Sequence, residues 1–251
     1  MRWLLWTLFG VSLGFAQACG GATQSPSGTF TTARDVETNR FVLPFTVDPA
    51  ELTLFESDVQ GLDIDFAGNS FWRESGSTRV DNRFAALRQS DIEWWLPRYE
   101  EWGRIAGYMR TFESAFPQEG SITSEVGVYR TVQGAKNSWG PSLERLQKAF
   151  CDRNDSDSES IKCGEVEGGS LASDTFRFHE KRKPKGFSFF GSGAEYFTII
   201  FREGNVVGSV SWSAKQLDEL TFRMEIEHLV RDQVARIHDA TNVAIEPTTE
   251  N

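Results

Sequence analysis

The stretch from residue 194 to residue 239 constrains the fold most. Glu195 to Phe201 reads as a buried strand, Gly204-Asn205 as a two-residue turn, and Val206 to Trp212 as an alternating partner strand, so the segment predicts a β-hairpin. Directly after it, Ser213 and Gln216 stand at capping-box spacing. Leu217, Leu220, Met224, Ile226, Leu229, Val230, Val234 and Ile237 then follow at helical period. A long helix with a broad apolar face must bury that face, and the hairpin before it is the nearest surface to receive it.

The same order occurs earlier in the chain. Ile105 to Phe112 reads as a strand, Pro117 and Gly120 mark a turn, and Ile122 to Tyr129 reads as the next strand. Ala135, Trp139, Leu143, Leu146 and Phe150 keep to one helical face, within which Gly140-Pro141 predicts a kink or a split. The two stretches suggest a duplicated hairpin-then-helix unit, with Tyr108 and Phe112 matching Tyr196 and Phe201, and Val126 matching Val210. Upstream, Asp48-Pro49-Ala50-Glu51 carries helix-start chemistry. Val80, Phe84 and Leu87 suggest a further helix, and Ser90 with Glu93 another start that Pro97 limits. This order predicts an α+β fold: an antiparallel sheet built from two hairpin-then-helix units, with helices packed on it.

At the N-terminus, Arg2 precedes an apolar run from Trp3 to Phe15, about 13 residues, which suits the core of an export signal. It is shorter than the roughly 20 residues that span a bilayer. Ala16-Gln17-Ala18 offers small residues where a signal peptidase needs them, so residues 1–18 read as a signal peptide and Cys19 as the first residue of the mature chain. Cys19, followed by Gly20-Gly21-Ala22 and a Ser/Pro-rich run, resembles the start of bacterial lipoproteins, although Ala16 and Gln17 depart from their usual pattern. The resemblance covers residues 1 to 29 and implies an acylated Cys19 that anchors the chain to a lipid bilayer; secretion of a soluble form is the alternative. Buried acyl chains contribute about 0.8 kcal/mol per methylene, and stable anchoring takes more than one chain. Residues 19–39, rich in Gly, Ser, Thr and Ala, read as a flexible spacer. Residues 40–246 read as one α+β domain and residues 247–251 as a disordered tail.

In the second half, the run Tyr196-Phe-Thr-Ile-Ile-Phe-Arg-Glu-Gly-Asn-Val-Val-Gly-Ser-Val-Ser resembles a stretch of uncharacterised bacterial lipoproteins of about this length, and their fold looks similar to the PsbP-like antiparallel sheet with flanking helices. That resemblance spans roughly residues 104 to 240. It implies a fold and carries over no functional residue.

Charge narrows the partners. The chain has a net charge of −10, and removing residues 1–18 takes away Arg2 and makes it one unit more negative. Such a surface repels nucleic acid, which needs clustered cations to release its counterions. The basic cluster of Lys181, Arg182, Lys183 and Lys185 sits beside a Pro and a Gly and reads as a solvated loop. In an exported chain, Cys151 and Cys163 face an oxidising environment and are placed to close a disulfide.

Chemistry is harder to find. His228 has Glu225 and Asp232 at spacings that bring all three near one helix face, yet Glu227, Arg231 and Arg236 mark that face as solvated charge, so no metal site is assigned. Gly191-Ser192-Gly193 lacks the full nucleophile elbow, and Gly186, Gly191, Gly193 and Gly204 read as turns rather than a phosphate loop. Asp152, Asp155, Asp157 and Glu159 offer calcium ligands, but counting from Asp155 puts Ser160 where the sharp turn needs Gly and Val166 where a bidentate carboxylate is required. A disordered, disulfide-closed loop is the default there. Phe71, Trp72, Trp94, Trp95, Tyr99 and Trp102 are crowded enough to form either core or an exposed groove for an envelope protein, lipid or glycan. With no catalytic residue, cofactor or ligand-binding residue assigned, the sequence favours a membrane-tethered, non-enzymatic accessory or binding module of the bacterial envelope. An unrecognised envelope hydrolase is the alternative. A solute receptor is disfavoured, because such receptors usually need two lobes.

Overall fold

The computed structural model describes residues 47–60, 62, 71–89, 91–115, 120–152, 158–164, 166, 171–182, 194–215 and 219–243. Cys19, the leader, the spacer and the tail lie outside them. Seven antiparallel strands form one sheet: β1 (Trp72–Arg79), β2 (Arg104–Ser114), β3 (Ser121–Tyr129), β4 (Ser158–Gly164), β5 (Asp174–Arg182), β6 (Ala194–Glu203) and β7 (Val206–Lys215). Their order is β1-β2-β3-β7-β6-β5-β4. Both expected hairpins are present, β2–β3 and β6–β7, joined where β3 pairs with β7 in a register that sets Ile122 opposite Trp212 and Val126 opposite Gly208. Strands β1, β4 and β5 extend the four expected strands to seven.

The β6–β7 turn shows how the residues dictate the chain path. Gly204 adopts φ 54°, which suits glycine, and Asn205 is fully buried. Asn205 donates through Nδ2 to the Tyr129 carbonyl at 2.7 Å and accepts at its own carbonyl from the Tyr129 amide at 2.9 Å. The turn of one hairpin is thereby pinned to the end of the other. At Gly208, a Cβ would come within 2.4 Å of the Phe201 ring, so the missing side chain makes room for that ring.

Five helices accompany the sheet: α1 (Glu56–Val59), α2 (Asn82–Arg88), α3 (Ile92–Glu101), α4 (Val132–Leu146) and α5 (Glu219–Val243). A 3-10 turn, Pro49–Leu52, begins where the sequence suggested, with Asp48 Oδ1 accepting from the Ala50 amide at 3.1 Å. The long helix α5 starts later than the capping-box spacing predicts; Gln216 and Leu217 lie outside the described residues. Ser213 instead remains in β7, paired with Ser121 on one side and Tyr196 on the other, because backbone pairing on both flanks outweighs a local cap. The buried stripe of α5 is Phe222, Ile226, Leu229, Val230, Val234 and Ile237. Leu220 and Met224, expected in that stripe, are 57% and 59% exposed, since a helical turn of about 100° per residue puts them opposite Phe222 and Ile226.

Three other helices also differ in detail. In α2, capped by Asp81, the buried residues are Ala85 and Ala86, while Phe84 and Leu87 point outward. Helix α3 is capped by Asp91, not Ser90, and runs through Pro97 to Glu101. Helix α4 likewise continues through Pro141, where a kink or split was expected, and passes into a π-helical turn, Gln147–Cys151.

The main core lies on one face of the sheet. There Trp72, Phe112, Ile122, Val126, Phe197, Ile199, Phe201, Val210 and Trp212 meet the buried stripe of α5 and Leu52 and Leu54. Helix α4 packs on the other face, where Trp139, Leu143 and Leu146 cover Phe176, Phe178 and Ile200. The two hairpin-then-helix units therefore send their helices to opposite faces. A rotation that superposed the hairpins about the β3–β7 seam would bring both helices to one face, so the units do not share one three-dimensional arrangement.

Candidate functional site: a cleft on the second sheet face

Strand alternation sends one set of residues into the core and the other set to the face that α4 covers only in part. On β7 that second set is Val207, Ser209 and Ser211, on β6 Tyr196, Thr198 and Ile200, and on β3 Glu125, Gly127 and Tyr129. Together with α4, the end of α2 and the π-helical turn, they enclose a cleft of about 490 Å³, within the range of small-molecule sites.

The cleft has two unlike ends. At the β3 end lie Arg88, Arg104 and Arg145, with Gln89, Tyr99, Tyr129 and Ser138. Arg88 donates to Glu125 Oε2 at 2.7 Å. Arg104 is 7% exposed and donates through Nη1 to the Val80 carbonyl at 2.9 Å and to Asn82 Oδ1 at 3.1 Å. Two glycines make space for it: a Cβ on Gly107 would sit 2.3 Å from Arg104 Nη2, and one on Gly127 3.1 Å from its Nε. Arg145 reaches from α4 to donate to Gln89, and burial pushes its guanidinium below its usual pKa. Tyr129 Oη and Ser138 Oγ share a hydrogen bond of 2.6 Å. Burial raises the phenols of Tyr99 and Tyr129, so both stay neutral well into alkaline solution.

The β5 end is apolar, lined by Leu146, Phe150, Ile161, Phe178 and Ile200. The bond between Cys151 and Cys163 is present and ties the π-helical turn after α4 to edge strand β4, which closes this end. On its rim, Arg182 grips Glu180 through two bonds, of 2.9 and 3.1 Å, and lies 4.6 Å above the Tyr196 ring. Between the two ends the floor carries hydroxyls, with Thr198 Oγ1 donating to Ser211 Oγ at 3.0 Å.

The other sequence candidates fall elsewhere. His228 sits on the outer face of α5, 3.6 Å from Asp232, and among the described residues no group of three His, Cys, Asp or Glu is placed to hold a metal ion. Asp155 and Asp157 lie outside the described residues, but the segment expected as a disordered loop includes strand β4 from Ser158, because its backbone pairs with β5. Lys181 and Arg182 belong to β5 rather than to a solvated loop, again through strand pairing, whereas Lys183, Lys185, Gly186, Gly191, Ser192 and Gly193 lie outside the described residues. The crowded aromatics are mostly core. Trp72 lies under α5, and Trp94, Trp95, Tyr99 and Trp102 pack edge to face with one another beside α2 and α3. Phe71 alone of the set is largely exposed, beside Arg73.

The cleft has little signature in the sequence. What signal exists is the hydroxyl alternation of Ser209, Ser211 and Thr198 on strands whose other face is core, which reads equally well as a solvated surface.

No protein-family model matches the chain, and no curated protein matches it. Among solved structures, the chain is similar to the crystal structure of the extracellular domain of PknH from Mycobacterium tuberculosis, at 16% identity and a TM-score of 0.49, over 78% of this chain and 97% of that one.

Proposed function

We propose that this chain is a non-enzymatic binding module of the bacterial envelope, exported and held at a membrane through an acylated Cys19, with the cleft on the second sheet face as its ligand site. The observation that carries the reading is the contrast between that cleft, with a wall of α4, a hydroxyl floor and fixed arginines, and the buried, largely apolar face beneath α5. A spacer of about twenty residues suits a domain that must reach a partner or ligand from the membrane surface.

Two experiments test it. Labelled fatty acid should enter the wild-type chain and not Cys19→Ala, which should leave the membrane fraction still folded; equal labelling of both would remove the tether. Native mass spectrometry of protein purified gently from its own envelope should detect a small molecule that Ser209→Phe, which fills the cleft floor, no longer retains. A molecule retained equally by both forms would move the site elsewhere.

The hydrolase reading has one observation in its favour: Ser158 Oγ donates to the largely buried Glu180 at 2.7 Å. The paired Arg182 guanidinium works against it, because an ion-paired carboxylate is a poor general base. Loss of esterase activity on a p-nitrophenyl ester in Ser158→Ala, with folding intact, would restore that reading.

A further inference from the structure

We infer that the outer face of α2 rests in the interfacial layer of the bilayer to which the chain is tethered, with Phe84 and Leu87 among the lipid chains and Arg83 and Arg88 at the headgroups. The inference rests on the reading of Cys19 as the tether and adds the surface that meets the membrane.

The helix gives the surface. A turn of about 100° per residue sets Ala85 and Ala86, both buried, on one side of α2, and Arg83, Leu87, Phe84 and Arg88, in that order, across the other. All four of the second set are exposed, Phe84 by 39% and Leu87 by 56%. Large apolar side chains flanked on both sides by arginines suit a helix that lies in a membrane interface. The apolar groups enter the acyl layer, and the long arginine stems let the guanidinium groups stay among phosphates and water. Ile105 adds to the surface. A β-bulge between Arg104 and Ala106 leaves Ile105 out of the ladder and exposed, and Asn82 at the start of α2 donates through Nδ2 to the Arg104 carbonyl at 3.1 Å, so this third apolar residue lies beside the helix.

The tether gives the partner. The chain from Cys19 enters the described residues at Val47, and the next residue, Asp48, is paired with Arg79 at 2.9 Å. Arg79 ends β1, and only Val80 and Asp81 separate it from α2, so the tether arrives at the end of the sheet from which α2 departs. Residues 20–46 span at most about 100 Å. That confines the domain to the neighbourhood of the bilayer, where a contact too weak to hold a free protein becomes occupied. Arg88 is paired with Glu125 and Arg79 with Asp48, so the contact draws on apolar burial more than on attraction to anionic lipid. Leu220 and Met224 are as exposed, but they belong to the outer side of α5, across the sheet from the cleft that α2 helps to enclose. Because Ala85, Arg88 and Gln89 of α2 line that cleft, docking through α2 brings one end of the cleft to the membrane surface.

Photolabelling of the full acylated chain in phosphatidylcholine vesicles, with a lipid that carries a diazirine in its acyl chain, tests this. Adducts mapped by mass spectrometry should fall on residues 82–88 and on Ile105, and should be roughly tenfold fewer on Leu220 and Met224, which match them in exposure and differ in place. Phe84→Gln combined with Leu87→Gln should lower the labelling of α2 roughly tenfold while the melting curve stays close to that of wild type, since both positions are exposed and Gln is a good helix former. Adducts as abundant on α5 as on α2 overturn the inference. So does an unlabelled α2 that cross-links between copies, which would assign the face to self-association. A chemical tether separates this result from the acylation of Cys19: the mature chain from residue 19, oxidised and joined through its Cys19 thiol to a maleimide lipid, is labelled in the same way. Labelling of α2 there, with no fatty acid entering Cys19, means that the docking surface stands and the acylation falls. No labelling of α2 in either form means that the docking surface falls, and the fatty-acid result alone then decides the tether.

Discussion

The two faces of the sheet are made by the same strands and reach opposite ends. Under α5, even-numbered residues of β7 and odd-numbered residues of β6 present Trp212, Val210, Phe197 and Ile199 to a helix whose Phe222, Ile226, Leu229 and Val230 are buried with them. Under α4, the residues between them are Ser209, Ser211 and Thr198, and the helix leaves about 490 Å³ beside them. The face that holds the fold is buried and largely apolar; the other is partly open and carries unlike groups at its two ends. The two faces differ in their cover: α5 runs for 25 residues over one, whereas α4 runs for 15 over the other and passes into a π-helical turn.

That contrast predicts how the molecule breaks. Trp212→Ala should have the largest effect, about 3–5 kcal/mol of stability by denaturant unfolding, because the indole is buried against Trp72 at 5.7 Å and Phe222 at 4.8 Å and would leave a cavity. A loss under about 1 kcal/mol would mean that the α5 face is not the core. Replacing Cys151 and Cys163 together by Ala should cost about 3 kcal/mol through the released chain entropy, and should loosen the apolar end of the cleft before the α5 face, visible as faster amide exchange in β4 than in β7.

Tyr129→Phe should cost about 1 kcal/mol, the usual worth of one buried hydrogen bond, here the one to Ser138. It should also change the pH dependence. Burial raises the folded-state pKa of Tyr99 and Tyr129 above the value near 10 of an unfolded chain, so their contribution is fully present below pH 10 and is lost as pH rises above it. Wild type should therefore lose stability above pH 10 more steeply than Tyr129→Phe, while Trp212→Ala should shift the whole curve and leave that alkaline slope unchanged. The smallest effect belongs to the outside of the long helix: Met224→Ala and His228→Ala should each stay within about 0.5 kcal/mol, against about 2–5 kcal/mol for Ile226→Ala at the buried stripe.

Much of the α5 face is legible in the sequence, because its signal is redundant. Ile226, Leu229, Val230, Val234 and Ile237 repeat at helical spacing, and the hairpin beside them alternates around a Gly-Asn turn. The departures there are local: Leu220 and Met224 are apolar but turned outward, and Phe222, which the helical pattern did not include, is core. Edge strand β1 is not legible, since only Trp72 at its start is buried and the remainder has no alternation to read. Strand β5 does carry alternating Phe176 and Phe178, but its place beside β6 is fixed by pairing across a long connection, which local pattern does not encode.

By itself the sequence determined the α+β class, the two hairpins and the long helix, because strand alternation and helical period are local properties of the chain. The tertiary structure alone decided the cleft. Arg104, Arg145, Ser209 and Phe178 come from four separate elements, and each reads in sequence as an ordinary surface or core residue. Only the choice of opposite faces for α4 and α5 sets them around one space, and that choice depends on how distant strands pair rather than on any neighbouring residue.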